Sequence, residues 1–292
     1  MESCGSKMVP EIGPENSLGF SIIPYKSIND LLPHQSFAIW KDWAVFIRQK
    51  DNQLIADVVN IMSGIIIASQ KLDYGDFNLP HANVCCFGPQ KYSDDSVTPL
   101  LYVSQWSYSS ERGVIAYDLF FDDGLLTIRP VQFILPQISS DIIGSGDIDW
   151  VIDSDRNELY AFAYKKSGPS TIEKDNEEII TCFKLPDINH GQIVYLSSED
   201  VLKKWHYSTF NYSQDKCYYQ DKIYILSGGE EKRFSHMNRL RVLNVKTGII
   251  ESVWDLTKTG AGLKEPEGLS VYNNMLLMTY LSDSSILWRC IL

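Results

Sequence analysis

The 292-residue sequence lacks any hydrophobic run long enough to cross a bilayer. A membrane helix needs roughly 20 apolar residues in succession, whereas the apolar runs here are strand-sized, such as Ile65-Ile66-Ile67. Basic residues are also scarce: Lys and Arg number 26 against 37 Asp and Glu, for a formal net charge of −11. Nucleic-acid binding needs a basic face that neutralises phosphates. We therefore expect neither a transmembrane segment nor a nucleic-acid partner.

The common metal and nucleotide motifs are missing as well. None of the six cysteines stands in a CxxC pair or at zinc-ligand spacing. The sequence contains no Walker A motif, no dinucleotide GxGxxG and no HExxH. Five of the cysteines lie in apolar, strand-like segments, where free cysteine usually behaves as a small buried hydrophobe. They are Cys85, Cys86, Cys182, Cys217 and Cys290.

The remaining cysteine, Cys4, lies in a polar N-terminal stretch that carries no apolar signal-peptide core. Residues 1–16 are interpreted as a flexible segment and residues 17–292 as a single domain. The order Ser3-Cys4-Gly5-Ser6 resembles the processed end of a bacterial lipoprotein. That resemblance implies a periplasmic or surface protein anchored at Cys4. The alternative is a cytoplasmic protein with a frayed terminus.

Helical periodicity is nearly absent, and short β-rich runs separated by Gly, Asn, Asp and Pro clusters predict an all-β fold. A unit of two apolar strands joined by a glycine-containing turn recurs along the chain. The copies span residues 57–67, 117–126 and 242–250, and a weaker copy ends at Gly191. Glycine supplies the positive φ that such hairpins need.

A further hairpin precedes each copy of this unit. The paired segments are residues 37–40 with 43–47, 84–87 with 100–104, 150–152 with 159–163, 217–219 with 223–226, and 269–272 with 276–280. The last unit is one strand short, and residues 20–24 provide the spare strand. The pattern predicts a five-bladed β-propeller with four-stranded blades, closed by the N-terminal strand, because a closed ring leaves few sheet edges. Six blades would require cutting strands that are continuous in sequence.

One constellation of polar residues precedes the predicted innermost strands. The start of each of these strands shows a polar–x–polar pattern. Side chains two residues apart on a strand point to the same side. The ten residues are His34, Ser36, His81, Asn83, Asp147, Asp149, Ser213, Asp215, Glu265 and Glu267. On innermost strands that side is the central channel, so we expect the ten side chains to converge at its mouth. A channel that is polar only because it holds water would show the same pattern.

Two kinds of chemistry suit these residues. Asp147, Asp149, Asp215, Glu265 and Glu267 offer hard oxygen ligands for Ca²⁺ or Mg²⁺ on the propeller axis. His34 and His81 would add acid–base capacity, because imidazole titrates near neutrality. The long connections on the same face carry aromatic and imidazole side chains, of which Trp106 and His206 are candidate ligand-binding residues.

The stretch Glu265-Pro266-Glu267-Gly268-Leu269, followed by the Asn273-Asn274 turn, resembles a blade found in several bacterial propeller families. They include lactonase-like propellers, five-bladed glutaminyl cyclases and uncharacterised surface lipoproteins. The His81-Ala82-Asn83 entry and the blade layout most resemble the uncharacterised secreted group. The resemblance covers one blade, lacks the glutamine–glycine element of the cyclases, and therefore implies a fold without a catalytic set.

Three functional hypotheses follow. The first is a propeller that binds a small molecule, glycan or peptide at the channel mouth. The second is a hydrolase or cyclase that uses the axial carboxylates, with or without a divalent cation; Glu267 with His81 is the first pair to examine. The third is a protein-interaction scaffold that uses the rim. The aromatic loops favour the first, and whether the protein is an enzyme stays open.

Overall fold

The computed structural model describes residues 8–9, 21–75, 82–105, 112–166, 177–208, 213–229, 238–259 and 264–291, and these are almost entirely β-strand. The strands are β1 (Met8–Val9), β2 (Ser21–Ser27), β3 (Ser36–Trp40), β4 (Trp43–Lys50), β5 (Gln53–Asn60), β6 (Ile65–Lys71), β7 (Cys85–Phe87), β8 (Leu101–Ser104), β9 (Val114–Asp122), β10 (Leu125–Pro136), β11 (Ser145–Asp153), β12 (Glu158–Tyr164), β13 (Glu177–Lys184), β14 (Ile193–Leu196), β15 (Val201–Ser208), β16 (Ser213–Tyr219), β17 (Lys222–Ser227), β18 (Arg239–Asn244), β19 (Ile249–Asp255), β20 (Pro266–Tyr272), β21 (Met275–Tyr280) and β22 (Ile286–Ile291). In these ranges the helices are one α-helical turn, α1 (Ser140–Ile143), and 3-10 turns at Ile188–His190, Ser198–Asp200, Leu256–Lys258 and Leu281–Asp283.

The strands form five blades of four antiparallel strands each. In chain order the blades are β3-β4-β5-β6, β7-β8-β9-β10, β11-β12-β13-β15, β16-β17-β18-β19 and β20-β21-β22-β2. The first strand of each blade contacts the first strand of the next, and β20 contacts β3 to close the ring. The protein is therefore a five-bladed β-propeller, as the repeat predicts. The predicted closing strand is β2, which pairs antiparallel with β22.

Turn residues explain where the strands reverse. The β20–β21 hairpin turns at Asn273 and Asn274, whose φ angles are 48° and 61°. Two consecutive positive φ angles define the type I′ turn, whose twist matches that of the flanking strands, and asparagine tolerates this conformation better than most residues. Gly64, at φ 73°, serves the same purpose in the outer hairpin of the first blade.

The hydrophobic core lies between the blades and not inside one layer. Each of five clusters of buried side chains spans at least two neighbouring blades. In the first cluster, for example, Val45 and Val58 of one blade pack with Leu101 and Ile115 of the next. Because both faces of a blade are covered in this way, its middle strands carry nearly continuous apolar runs.

The third blade departs from the repeat. The predicted glycine hairpin ending at Gly191 is replaced by a 3-10 turn at Ile188–His190 and by β14. Strand β14 pairs in parallel with β10 of the preceding blade, and β1 pairs in parallel with β15. Each extra strand covers an outer sheet edge that would otherwise expose unpaired backbone groups.

The cysteines within the described ranges are all free, and four of them are buried, whereas Cys86 is half-buried. Cys4 lies outside those ranges, so the lipid-anchor interpretation stays a prediction. In the residues that the structure describes, no helix has the length and apolar character needed to span a membrane.

Candidate functional site

A cavity of about 380 Å³ opens where the five innermost strands begin. Every blade contributes side chains from the entry of its first strand. These are Gln35, Asn83, Asp147 with Asp149, Ser213 with Gln214, and Glu265 with Glu267. The remaining wall consists of Phe162, Ala163, Tyr164, Glu178 and Leu281. Because all five blades meet around it, the cavity lies on the propeller axis.

Six of the ten residues of the polar–x–polar pattern line this cavity. They are Asn83, Asp147, Asp149, Ser213, Glu265 and Glu267. His81 and Trp106 lie outside the described residues. The other four candidates, His34, Ser36, Asp215 and His206, are placed elsewhere.

His34 and Ser36 point between the first blade and its neighbours. His34 Nε2 lies 2.9 Å from Thr279 Oγ1, and the ring packs edge-on against Phe46 with centroids 4.8 Å apart. Ser36 Oγ donates a 2.8 Å hydrogen bond to the Ala82 carbonyl. Strand alternation itself explains the difference, because the residue between them, Gln35, faces the cavity. Burial lowers the pKa of His34 to about 4, so this ring is neutral at physiological pH.

Asp215 is fully buried and joins the fourth blade to the fifth. Its Oδ2 accepts a 2.7 Å hydrogen bond from the Leu269 backbone N–H, and its Oδ1 accepts one of 2.7 Å from Lys216 N–H. The pairing of β16 with β17 shifts register between Ser213 and Lys216. Such an irregularity breaks the two-residue alternation, so Asp215 and Ser213 no longer share a side. Burial raises the pKa of Asp215 well above its usual value.

His206 also lies away from the cavity. It belongs to β15, the outermost of the four strands of the third blade, where it pairs with Ile179 on one side and Met8 on the other. The sequence pattern predicts a loop at His206, but the strand continues through Ser208.

The main feature that sequence patterns missed is a buried lysine beside the cavity. Lys216 is 0% exposed, and its Nζ donates to Asp149 Oδ2 at 2.5 Å and to Ser213 Oγ. Glu178 Oε1 lies 3.9 Å away, and the ammonium sits 5.2 Å from the centroid of the Phe162 ring. Glu178 in turn accepts a hydrogen bond from the buried Tyr207 hydroxyl. The only sequence signal is a single lysine in a strand that is otherwise apolar after Asp215.

Glu265 is held in place by its neighbours. Gln214 Nε2 donates to Glu265 Oε1 at 3.1 Å and to the Gly228 carbonyl at 3.0 Å. Asn238 Nδ2 donates to the Lys264 carbonyl at 2.8 Å, which positions the backbone just before Glu265. A Cβ on Gly228 would lie 1.9 Å from Asn238 Oδ1, so this approach requires glycine.

Glu267 is 4% exposed, and its Oε2 is buried without a hydrogen-bond partner in the described part of the chain. Removal from water raises the pKa of Glu267 well above its usual value, and the neighbouring Glu265 and Asp215 carboxyl groups raise it further. Burial and the Asp149 charge raise the pKa of Asp147 to about 7, an effect that the Arg112 guanidinium partly offsets. The cavity thus contains two carboxyl groups whose pKa values are raised, Asp147 to about 7 and Glu267 well above its usual value.

The five acids considered as Ca²⁺ or Mg²⁺ ligands are not assembled into one centre. Asp215 binds backbone N–H groups and Asp149 binds Lys216, which leaves Asp147, Glu265 and Glu267 at the cavity. Across the ranges that the structure covers, no group of three His, Cys, Asp or Glu side chains is arranged to hold a metal ion.

No family model and no curated protein matches this sequence. Among solved structures, the chain is similar to glutaminyl cyclase from Myxococcus xanthus, with 10% identity, a TM-score of 0.51 and 97% of each chain covered. It is also similar to the tail fibre of Staphylococcus aureus phage P68, with 14% identity, a TM-score of 0.53, 93% of this chain and 52% of that chain covered. The chain therefore spans about half of the tail-fibre chain. Both likenesses are at the level of the fold, which does not determine function.

Proposed function

We propose that this β-propeller binds a small ligand in its axial cavity: a small molecule, a glycan unit or a peptide end. The observation that carries the proposal is the buried Glu267 Oε2, which has no partner among the described residues and belongs to a cavity lined from all five blades. An unpaired buried polar atom costs about 1–3 kcal/mol. Folded proteins tolerate such costs mainly where function requires them.

The size of the cavity limits the ligand. Ligand pockets usually enclose about 300–1,000 Å³, and this one, at about 380 Å³, lies near the lower limit. It suits a metabolite, one sugar ring or one to two peptide residues. Phe162, Ala163 and Leu281 provide apolar contacts, while the amide groups of Gln35 and Asn83 offer orienting hydrogen bonds.

The first test is a thermal-shift screen with sugars, amino acids, amines, nucleotides and short peptides. A ligand at 100 times its Kd stabilises the native state by about 2.7 kcal/mol, which raises the Tm of a chain this large by about 4 °C. Asn83→Trp fills the cavity and should abolish every hit, whatever the ligand's charge. Glu199→Gln, which changes an exposed residue outside the cavity, should keep them all. Hits that survive Asn83→Trp, or the absence of any hit, would refute the proposal.

A second candidate is acid–base catalysis of a hydrolase or cyclase type. It is favoured by the pKa of Asp147, raised to about 7 by burial and Asp149, because general acids and bases work best near the operating pH. Its test is hydrolysis of ester, glycoside and peptide substrates and cyclisation of N-terminal glutamine. Asp147→Asn should remove a pH-dependent activity. Turnover that persists in this variant would exclude Asp147 from the chemistry.

A further inference from the structure

Acidic side chains outnumber basic ones around the axial cavity. Six carboxyl groups in the described residues line the cavity or lie directly behind it: Asp147, Asp149, Glu178, Glu265, Glu267 and Asp215. Within the same described residues, three cationic side chains act on this region: Lys216, Arg112 and Arg241. The acids therefore outnumber the bases two to one, even before any ligand enters.

The lysine of this region already pairs with other side chains. Lys216 Nζ is bound by Asp149 Oδ2 and Ser213 Oγ, with Glu178 as a third neighbour at 3.9 Å. It is 0% exposed and cannot turn toward Glu267 without breaking these contacts. Arg112 is likewise engaged, because its Nη1 donates to the carbonyl oxygens of Gly144 and Gly146 at 2.9 and 3.0 Å.

Glu267 provides an independent observation that points to a ligand. Glu267 is only 4% exposed and lines the cavity. Its Oε2 accepts no hydrogen bond within the described ranges. A buried carboxylate is stabilised only when a hydrogen-bond donor or a positive charge reaches it. The acid lies beside Glu265, which Gln214 orients.

We propose that the ligand of the axial cavity carries a protonated amine, and that its ammonium group binds Glu267 beside Glu265. This inference rests on the proposed ligand-binding function and specifies the ligand's chemistry. Amino sugars, amino acids, polyamines and peptide N-termini share this group, which donates N–H hydrogen bonds to carboxylate oxygens. The carbon frame then lies against Phe162, Ala163 and Leu281.

Binding of such a ligand is coupled to protons. In the free protein, burial and the neighbouring acids raise the pKa of Glu267, and an ammonium ion at the same oxygen favours its ionised form. The charged and titratable groups of the described residues in this region are Glu265 on its own segment, Asp215 and Lys216 on β16, Asp147 and Asp149 on β11, Tyr164 on β12, Glu178 on β13, Arg241 on β18, and Arg112. We therefore expect proton release on binding where the ligand amine is charged, and an affinity that rises with pH until the amine itself begins to lose its proton.

The experiment is calorimetric titration with pairs of ligands that differ only in the amine. The pairs are glucosamine and glucose, 1,4-diaminobutane and 1,4-butanediol, and Ala-Ala-amide with a free or an acetylated N-terminus. In at least one pair the amine should bind tenfold or more tightly than its neutral partner. Repeating the titration in buffers of different ionisation enthalpy should show release of protons.

Variants separate the ammonium contact from the rest of the cavity. Glu267→Gln has the shape of the protonated acid and should fold normally, as near-UV circular dichroism can check, yet lose tenfold or more in amine affinity. Glu265→Gln should lose less, and Glu199→Gln nothing. Three results would overturn the inference. They are equal affinity for the amine and its neutral partner, amine binding that is retained in Glu267→Gln, and CaCl₂ binding that competes with the amine.

The outcomes also distinguish this inference from the proposed function. If neutral or anionic ligands bind and Asn83→Trp blocks them, the cavity is a binding site and only the amine assignment falls. If no ligand of either class binds the wild-type protein, the proposed function itself fails, and the amine assignment falls with it.

Discussion

Replacing Lys216 with methionine should destabilise the propeller by about 3–5 kcal/mol, because removing one partner of a buried ion pair strands the other charge away from water. Lys216 is 0% exposed and the side chain of Asp149 is 10% exposed, with 2.5 Å between Nζ and Oδ2. Methionine fills the same space, so the loss measures electrostatics more than packing. A folded domain has only about 5–15 kcal/mol of stability in total, so the effect is large.

The assay is urea denaturation at pH 7.5, followed by tryptophan fluorescence. The matched control is Lys222→Met, since Lys222 pairs with Glu251 at 3.1 Å on the surface, with side chains 41% and 36% exposed. Surface pairs contribute only about 0–1 kcal/mol.

A double-mutant cycle with Asp149→Asn isolates the pair. In the Asp149→Asn background, Lys216→Met should lower the free energy of unfolding by less than it does in the wild-type protein. The coupling energy should be at least about 1 kcal/mol, which is within the range found for contacting residues. A loss of less than about 1 kcal/mol in Lys216→Met, or additive effects in the cycle, would show that the ion pair does not stabilise the fold in this way.

Three further predictions concern the residues around the site. Asp215→Ala leaves two buried backbone N–H groups without an acceptor, at a cost of about 1–3 kcal/mol each. Asp215→Asn keeps one acceptor and should lose less free energy of unfolding in the same urea assay. Equal losses in the two variants would contradict this. The pKa of His34 is about 4 in the folded protein, compared with 6.5 for an unperturbed histidine. Its contribution to stability is therefore complete above pH 6.5 and is lost as the pH falls toward 4. The Tm difference between wild type and His34→Gln should narrow over that window, and a difference that stays constant would contradict this. Gly228→Ala would bring a Cβ into the Asn238 side chain, whereas the Cβ of Gly191→Ala, also at positive φ, has no atom within 4 Å. The Gly228 variant should therefore show the larger fall in Tm. Equal falls would exclude the steric explanation.

Much of the fold is predictable from local patterns. Alternating apolar strands, the Asn273-Asn274 turn and the glycine turn at Gly64 each specify a hairpin within a few residues. The repetition of these hairpins, and the spare strand near the N-terminus, predicted five blades closed by β2 and β22. Strand β14 was not predicted, because its partner β10 lies in another blade and a parallel pairing leaves no local turn signal.

The candidate site was predicted only in part, for a physical reason. Strand alternation has a period of two residues, and sequence alone determines that period but not which side faces the channel. The tertiary structure decided that Gln35 and not Ser36 faces it. It also decided that a register shift in β16 turns Asp215 into the wall.

By itself, therefore, the sequence determined the class, the number of blades and the end of the propeller where polar groups gather, since all three depend on short-range patterns. Only the packing of five blades around one axis brought Lys216 to Asp149 across 67 positions of sequence and left Glu267 buried with an unpaired oxygen. Electrostatic environment depends on distances between segments remote in sequence, and those distances exist only in the folded chain.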